Sequence, residues 1–104
     1  MFTVIETPIF QQYSEEVWTD TEREALIDWL ATNPDAGDVI PGTGGLRKVR
    51  WKRTGMGKRG GARVIYFNQL DHGVIWLLIV YAKAKFDNLP TKFLSRLKEE
   101  LVNG

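Results

Sequence analysis

Nine consecutive apolar residues, Val74 to Ala82, form the longest such run in the chain. A helix needs about 20 to cross a bilayer, so this run predicts no membrane span and has the length of one strand. From Val74 to Val80 both alternating sets of side chains are apolar, a pattern that a half-exposed strand does not carry. The run therefore predicts the most buried strand of a sheet, and the rest of the chain has to cover it.

The flanking segments supply that cover. Phe2 to Ile5 reads as a short first strand. Pro8 suits the first turn of a helix, where its missing N–H costs nothing, and Ile9, Phe10, Tyr13 and Val17 share one helical face over residues 8–17. A second helix opens on overlapping Thr-x-x-Glu capping signals, Thr19 to Glu22 and Thr21 to Glu24, with Ala25, Leu26, Trp29 and Leu30 as its apolar stripe. Asn33-Pro34 ends it, because the residue before proline is pushed out of helical geometry. Residues 35–45 read as a glycine-rich loop. Strands follow at Leu46 to Arg53, Arg63 to Asn68 and Val74 to Phe86, the last two joined by the turn Leu70-Asp71-His72-Gly73. After Pro90, Phe93, Leu94, Leu97, Leu101 and Val102 recur at helical spacing. This order predicts an α+β fold: a small antiparallel sheet of about four strands, with an N-terminal helical hairpin and a C-terminal helix packed on it. At 104 residues the chain makes one domain, 1–104.

Charge is divided unevenly along this framework. Residues 39–70 contain no acid but eight bases: Arg47, Lys48, Arg50, Lys52, Arg53, Lys58, Arg59 and Arg63. Lys83 and Lys85 follow at the end of the apolar run, so residues 39–86 carry +9, whereas residues 1–38 carry −8. The net charge of +1 thus conceals a polarised molecule, whose basic part attracts a polyanion. The chain has no cysteine, which excludes disulfides, thiol chemistry and cysteine-based zinc sites, and one histidine is too few for an ordinary zinc enzyme. No metal or organic cofactor is implied. The N-terminus lacks the basic region of a signal peptide, and a soluble cytoplasmic protein is expected.

Along the basic strand, alternation puts Lys48, Arg50 and Lys52 on one side, about 6.6 Å apart, and Arg47, Val49, Trp51 and Arg53 on the other. Charge on an edge strand also serves to block aggregation, but such protection usually mixes signs, and no acid is present here. The stretch Gly55 to Gly61 lacks the Gly-Lys-Ser/Thr ending of a nucleotide-binding loop. It reads either as a basic loop that settles on nucleic acid or as a plain connector. Tyr81, Lys83 and Lys85 share one side of the last strand; a tyrosine there is either structural or a platform for a base whose flanking phosphates the lysines hold. His72 reads as a turn residue.

A site rich in cations, with one tyrosine and no evident carboxylate or histidine base, still suffices to cleave RNA, because the nucleophile is the substrate's own 2′-hydroxyl. The protein must hold the backbone in line and stabilise the charge that gathers on phosphorus. Arg63 suits that task, being permanently charged and able to grip phosphate through two bonds, and surface exposure is expected for it. A lysine ringed by cations releases its proton more readily, which makes Lys52, Lys83 and Lys85 candidates for proton transfer.

Three segments, Gly37-Asp38-Val39-Ile40-Pro41-Gly42-Thr43-Gly44-Gly45-Leu46-Arg47-Lys48-Val49-Arg50-Trp51, Gly60-Gly61-Ala62-Arg63-Val64-Ile65-Tyr66-Phe67 and Tyr81-Ala82-Lys83-Ala84-Lys85, resemble the RelE/ParE superfamily of bacterial toxins. Within it they are most similar to the HigB-like RelE toxins of type II toxin–antitoxin modules, and the resemblance covers nearly the whole chain. It implies a RelE-like fold and a metal-independent endoribonuclease, an mRNA interferase. Such a protein cuts mRNA in the decoding site of the ribosome, arrests translation and is neutralised by a cognate helix-turn-helix antitoxin. On this resemblance Arg63 stabilises the scissile phosphate, Lys52, Lys83 and Lys85 position RNA or move protons, and Tyr81 contacts a base. Arg47, Lys48, Arg50 and Arg53 bind RNA, while Lys58 and Arg59 anchor the protein on ribosomal RNA. RelE itself has a tyrosine in its C-terminal segment, whereas no tyrosine follows Tyr81 here. Two other functions stay open on the residues alone: a ParE-like inhibitor of DNA gyrase, and a non-catalytic RNA- or DNA-binding module.

Overall fold

The apolar run Val74–Ala82 is a strand, and it lies one place in from the edge of a five-stranded sheet. The computed structural model describes residues 2–51, 61–82 and 89–103. In chain order the elements are β1 (Thr3–Glu6), α1 (Pro8–Val17), α2 (Asp20–Thr32), β2 (Asp38–Val39), β3 (Arg47–Trp51), β4 (Ala62–Gln69), a turn of 3-10 helix at Leu70–His72, β5 (Val74–Ala82) and α3 (Thr91–Asn103). The α+β class holds, with a helical pair before the main strands and a helix after them.

Two features of the sheet differ from the expectation. Its order is β1-β5-β4-β3-β2, five strands in place of about four. It is also mixed, because β1 runs parallel to β5, with Thr3 beside Val74 and Glu6 beside Leu77, while the other pairings are antiparallel. The connection from β1 to β5 takes in most of the chain, so no local signal marks the pair. The extra strand β2 is two residues long and lies in the segment expected to be a loop.

Strand residues sort into two apolar clusters, one on each face. Val64, Tyr66, Leu77 and Val80 pack with Phe10 of α1, with Leu26 and Leu30 of α2, and with Trp18 between those helices. Ile65, Ile79 and Tyr81 pack with Leu46 and with Leu94 and Leu97 of α3. Helices on both sides therefore give β5 the double cover that its sequence demands. The register between β4 and β5 shifts from Ile65↔Ile79 to Tyr66↔Leu77. That bulge leaves Leu78 as an extra residue, and it joins Ile79 on the α3 side.

Both N-terminal helices start as read. Thr7 caps α1, accepting the Phe10 N–H and donating its hydroxyl to the Leu77 carbonyl at 2.8 Å, which ties the helix start to β5. At α2 the capping box uses Thr19 and Glu22, not the overlapping Thr21 pair. Among the described residues no helix is long and apolar enough to cross a membrane.

Candidate nucleic-acid interface

Antiparallel pairing sets the positions of the basic side chains. Across β3, β4 and β5, Arg50 stands opposite Arg63, and Arg63 opposite Tyr81. Directly opposed residues project from the same face, with Cβ atoms about 4.5–5.5 Å apart. One pair further along the sheet, Asp38 of β2 stands opposite Lys48, and Lys48 opposite Ile65. Lys48, Arg50, Arg63 and Tyr81 therefore share the face that α3 partly covers, and Arg50 and Arg63 are immediate neighbours on it.

Their exposure is unequal. Arg50 is exposed and Lys48 half-buried. Arg63 is only 5% exposed, contrary to the surface position expected for it. Its direct neighbour on that face is Tyr81, which is buried in the cluster with Leu94 and Leu97, so Arg63 sits on the covered part of the face. Tyr81 is 2% exposed and belongs to the cluster built around Leu94 and Leu97. It offers no open ring for a base to stack on, so the sequence-based expectation of an accessible platform is also corrected. Burial pushes the Tyr81 phenol above its ordinary pKa, with the neighbouring Arg63 charge acting in the opposite direction. At neutral pH the phenol stays protonated, a hydrogen-bond donor and not a base.

Arg47 faces the other way and is engaged within the protein. Its guanidinium donates to the carbonyls of Gly37 at 2.7 Å and Asp35 at 3.3 Å, and lies 3.5 Å from the Asp35 carboxylate. Beside it the Tyr66 hydroxyl accepts the Gly37 N–H and donates to the Pro34 carbonyl, each at 2.8 Å. These bonds clamp residues 34–37 against the sheet. Gly37 has to be glycine there, since a Cβ would stand 2.8 Å from the Lys48 carbonyl and 2.9 Å from Tyr66.

The clamped segment is one wall of an open cleft of about 520 Å³. Lys48 and Arg50 line it from β3, facing Asp38, Val39 and Ile40. The turn that closes this hairpin is held by Thr43, whose hydroxyl donates to the Ile40 carbonyl at 2.6 Å and accepts the Leu46 N–H at 3.2 Å. Gly44 and Gly45 follow with φ of 73° and 106°, which disfavours any residue with a side chain. Lys98 of α3 donates to the Gly44 carbonyl at 2.6 Å and lies 4.8 Å from the centre of the Phe67 ring, so it fastens the helix to the turn.

Of the remaining sequence-predicted site residues, Lys52, Arg53, Lys58, Arg59, Lys83 and Lys85 lie outside the described residues. Lys52 follows Trp51 and Lys83 follows Ala82 in the chain, and Trp51, Ala62 and Ala82 form one row across the sheet. His72 is at the opposite end of β4 and β5, exposed and 3.9 Å from Asp71, in keeping with a turn residue. Asp38 was not among the sequence candidates. A lone aspartate in a glycine-rich segment carries no signal, and only the pairing of β2 with β3 brings it beside Lys48. Among the described residues no group of three or more His, Cys, Asp or Glu is placed to hold a metal ion.

No protein-family model matches the chain. Among solved structures it is similar to a double arginine-to-alanine variant of the E. coli toxin RelE in the free state. The TM-score is 0.63 at 13% identity, over 93% of this chain and 96% of that one. The fold is RelE-like. At that identity the likeness is one of architecture.

Proposed function

We infer that this chain is a toxin of the RelE kind, an endoribonuclease that cuts mRNA on the ribosome and arrests translation in the cytoplasm. In this reading it belongs with the HigB-like branch, and a helix-turn-helix antitoxin neutralises it. One observation carries the reading: Arg50 directly across from Arg63 on the same face of the sheet. Like charges set opposite each other cost stability, and an anion lying against both offsets the cost. A phosphodiester is such an anion, and the exposed Arg50 and half-buried Lys48 make the path to it attractive to RNA.

In this reading Arg50 receives the backbone first, while Arg63 acts from beneath as a fixed positive charge. Its burial serves that role, because a charge held in a poorly solvated place needs no reorganisation as charge builds on phosphorus. The 2′-oxygen attacks the adjacent phosphorus and the 5′-oxygen leaves, so DNA is not a substrate. Lys52, Lys83 and Lys85 are assigned to positioning and proton transfer, and Arg53, Lys58 and Arg59 to ribosomal RNA. Tyr81 keeps a role as a neutral donor beside Arg63.

The test is primer extension on a reporter message translated in a bacterial extract, run beside a DNA gyrase supercoiling assay. New message ends at ribosome-occupied codons, with gyrase unaffected, are the expected result. Intact message overturns the endonuclease reading, and inhibited gyrase replaces it with the ParE-like one.

A further inference from the structure

With Lys52, Lys83 and Lys85 outside the described residues, the group that takes the proton from the 2′-hydroxyl has to be sought among the side chains that line the cleft. Arginine does not serve, since it stays protonated in proteins, and Tyr81 is held protonated by its burial. Among the described residues that line the cleft, Asp38 is the one carboxylate. It is exposed, directly across from Lys48, on the face that carries Arg50 and Arg63. Diagonal neighbours such as Asp38 and Arg50 lie about 7–8 Å apart across a sheet, a separation that two side chains converging on one nucleotide can bridge. The backbone that carries the carboxylate is also well anchored. Its preceding residue, Gly37, is bonded through its N–H to Tyr66 at 2.8 Å and through its carbonyl to Arg47 at 2.7 Å, and Asp38 itself is fixed in register with β3.

Resting on the endonuclease reading above, we propose that Asp38 is the general base of RNA cleavage in this protein. With the scissile phosphate against Arg50 and Arg63, the ribose on its 3′-linked side lies toward β2. Asp38 accepts the 2′-hydroxyl proton. The 2′-oxygen forms a bond to phosphorus, and the bond from phosphorus to the 5′-oxygen breaks. The departing 5′-oxygen takes a proton from water, leaving a 2′,3′-cyclic phosphate and a 5′-hydroxyl. Lys48 stands directly opposite Asp38 across the β2–β3 pair.

The competing role for Asp38 is purely structural, a counter-charge that holds β2 to β3. Three measurements on full-length Asp38→Asn and Asp38→Glu separate the two: single-turnover cutting of a message on programmed ribosomes, affinity for a single-stranded RNA with a 2′-deoxy sugar at the mapped cut site, and the melting temperature. The proposal expects Asp38→Asn to cut about 10²–10⁴ times more slowly. Binding of the uncleavable RNA should stay equal or tighten, melting should change little, and Asp38→Glu should recover part of the rate. Cutting by Asp38→Asn within about threefold of wild type overturns the proposal, and so does a parallel loss of binding, melting temperature and rate. If the wild-type protein binds RNA and leaves it whole, the endonuclease reading fails and the Asp38 assignment goes with it. If wild type cuts and Asp38→Asn cuts equally well, only the Asp38 assignment fails.

Discussion

Arg50 and Arg63 occupy directly paired positions on β3 and β4, two guanidinium groups on one side of the sheet, the first exposed and the second only 5% exposed. Sheets ordinarily avoid such a pair. Replacing Arg50 by alanine should therefore stabilise the free protein, by about 0.2–1 kcal/mol at low salt. Thermal melting at two ionic strengths checks this, since the gain should shrink as salt screens the repulsion. The same variant should bind single-stranded RNA more weakly. Its affinity should also depend less on salt, by about 0.7 in the logarithmic slope.

The Tyr66 phenol shares with Arg47 and Asn68 the task of holding residues 34–37. Tyr66→Phe removes the acceptor of the Gly37 N–H and the donor to the Pro34 carbonyl. The Pro34 carbonyl keeps the Asn68 side-chain amide as a donor at 2.8 Å, so the buried Gly37 N–H is the group left without its acceptor, at a cost of about 1–3 kcal/mol. Chemical denaturation gives the magnitude, and hydrogen exchange at Gly37 should quicken first. Gly37→Ala should be worse, because its new methyl meets the backbone carbonyl of Lys48 at 2.8 Å, and a sheet carbonyl has no room to move.

Alkaline pH should unfold the protein through its tyrosines. Burial holds the phenols of Tyr66 and Tyr81 above their ordinary value, with the Gly37 N–H and Arg47 opposing at Tyr66 and Arg63 at Tyr81. Above about pH 10 the unfolded chain has lost these protons while the native state still holds them. Stability then falls as pH rises. Below that range the contribution is complete and flat. Melting temperature followed from pH 8 to 11 should show the fall, and Tyr66→Phe should show a shallower one.

Removing the α2 cap tests a feature that the sequence states outright. Thr19→Ala deletes the hydroxyl that accepts the Glu22 N–H and leaves the Glu22 carboxylate on the Thr19 N–H. A loss of about 1 kcal/mol in denaturation is expected, with RNA binding unchanged, because this helix start is remote from β3.

The residues that could be read in advance are those whose role is local. Pro8, the Thr19–Glu22 box and Asn33-Pro34 mark helix ends through geometry that spans a few residues. The unbroken apolar run of β5 announces its burial in the same way. What escaped depends on distant pairing. Parallel β1 beside β5 joins segments about 70 residues apart, and β2 is too short to show an alternation. For Arg63, the charge points to the surface, whereas the pairing sets it beside Tyr81 on the covered part of the α3 face. Arg47 and Arg50 look equivalent in a basic strand. The pairing separates them, turning Arg47 to a structural task with Asp35 and Gly37 and Arg50 to the open cleft. Asp38 became visible only once β2 was placed beside Lys48.

The central claim is that Arg63 stabilises a phosphodiester while the substrate's own 2′-hydroxyl cuts it. Arg63→Lys keeps the charge but loses the two-pronged grip. Wild type and this variant, matched for melting temperature, should be compared on programmed ribosomes with end-group analysis of the message. The account predicts wild-type products ending in a 2′,3′-cyclic phosphate and a 5′-hydroxyl, and a rate for Arg63→Lys lower by about 10² or more. Ends of another chemistry, or cutting by Arg63→Lys at the wild-type rate, would contradict it.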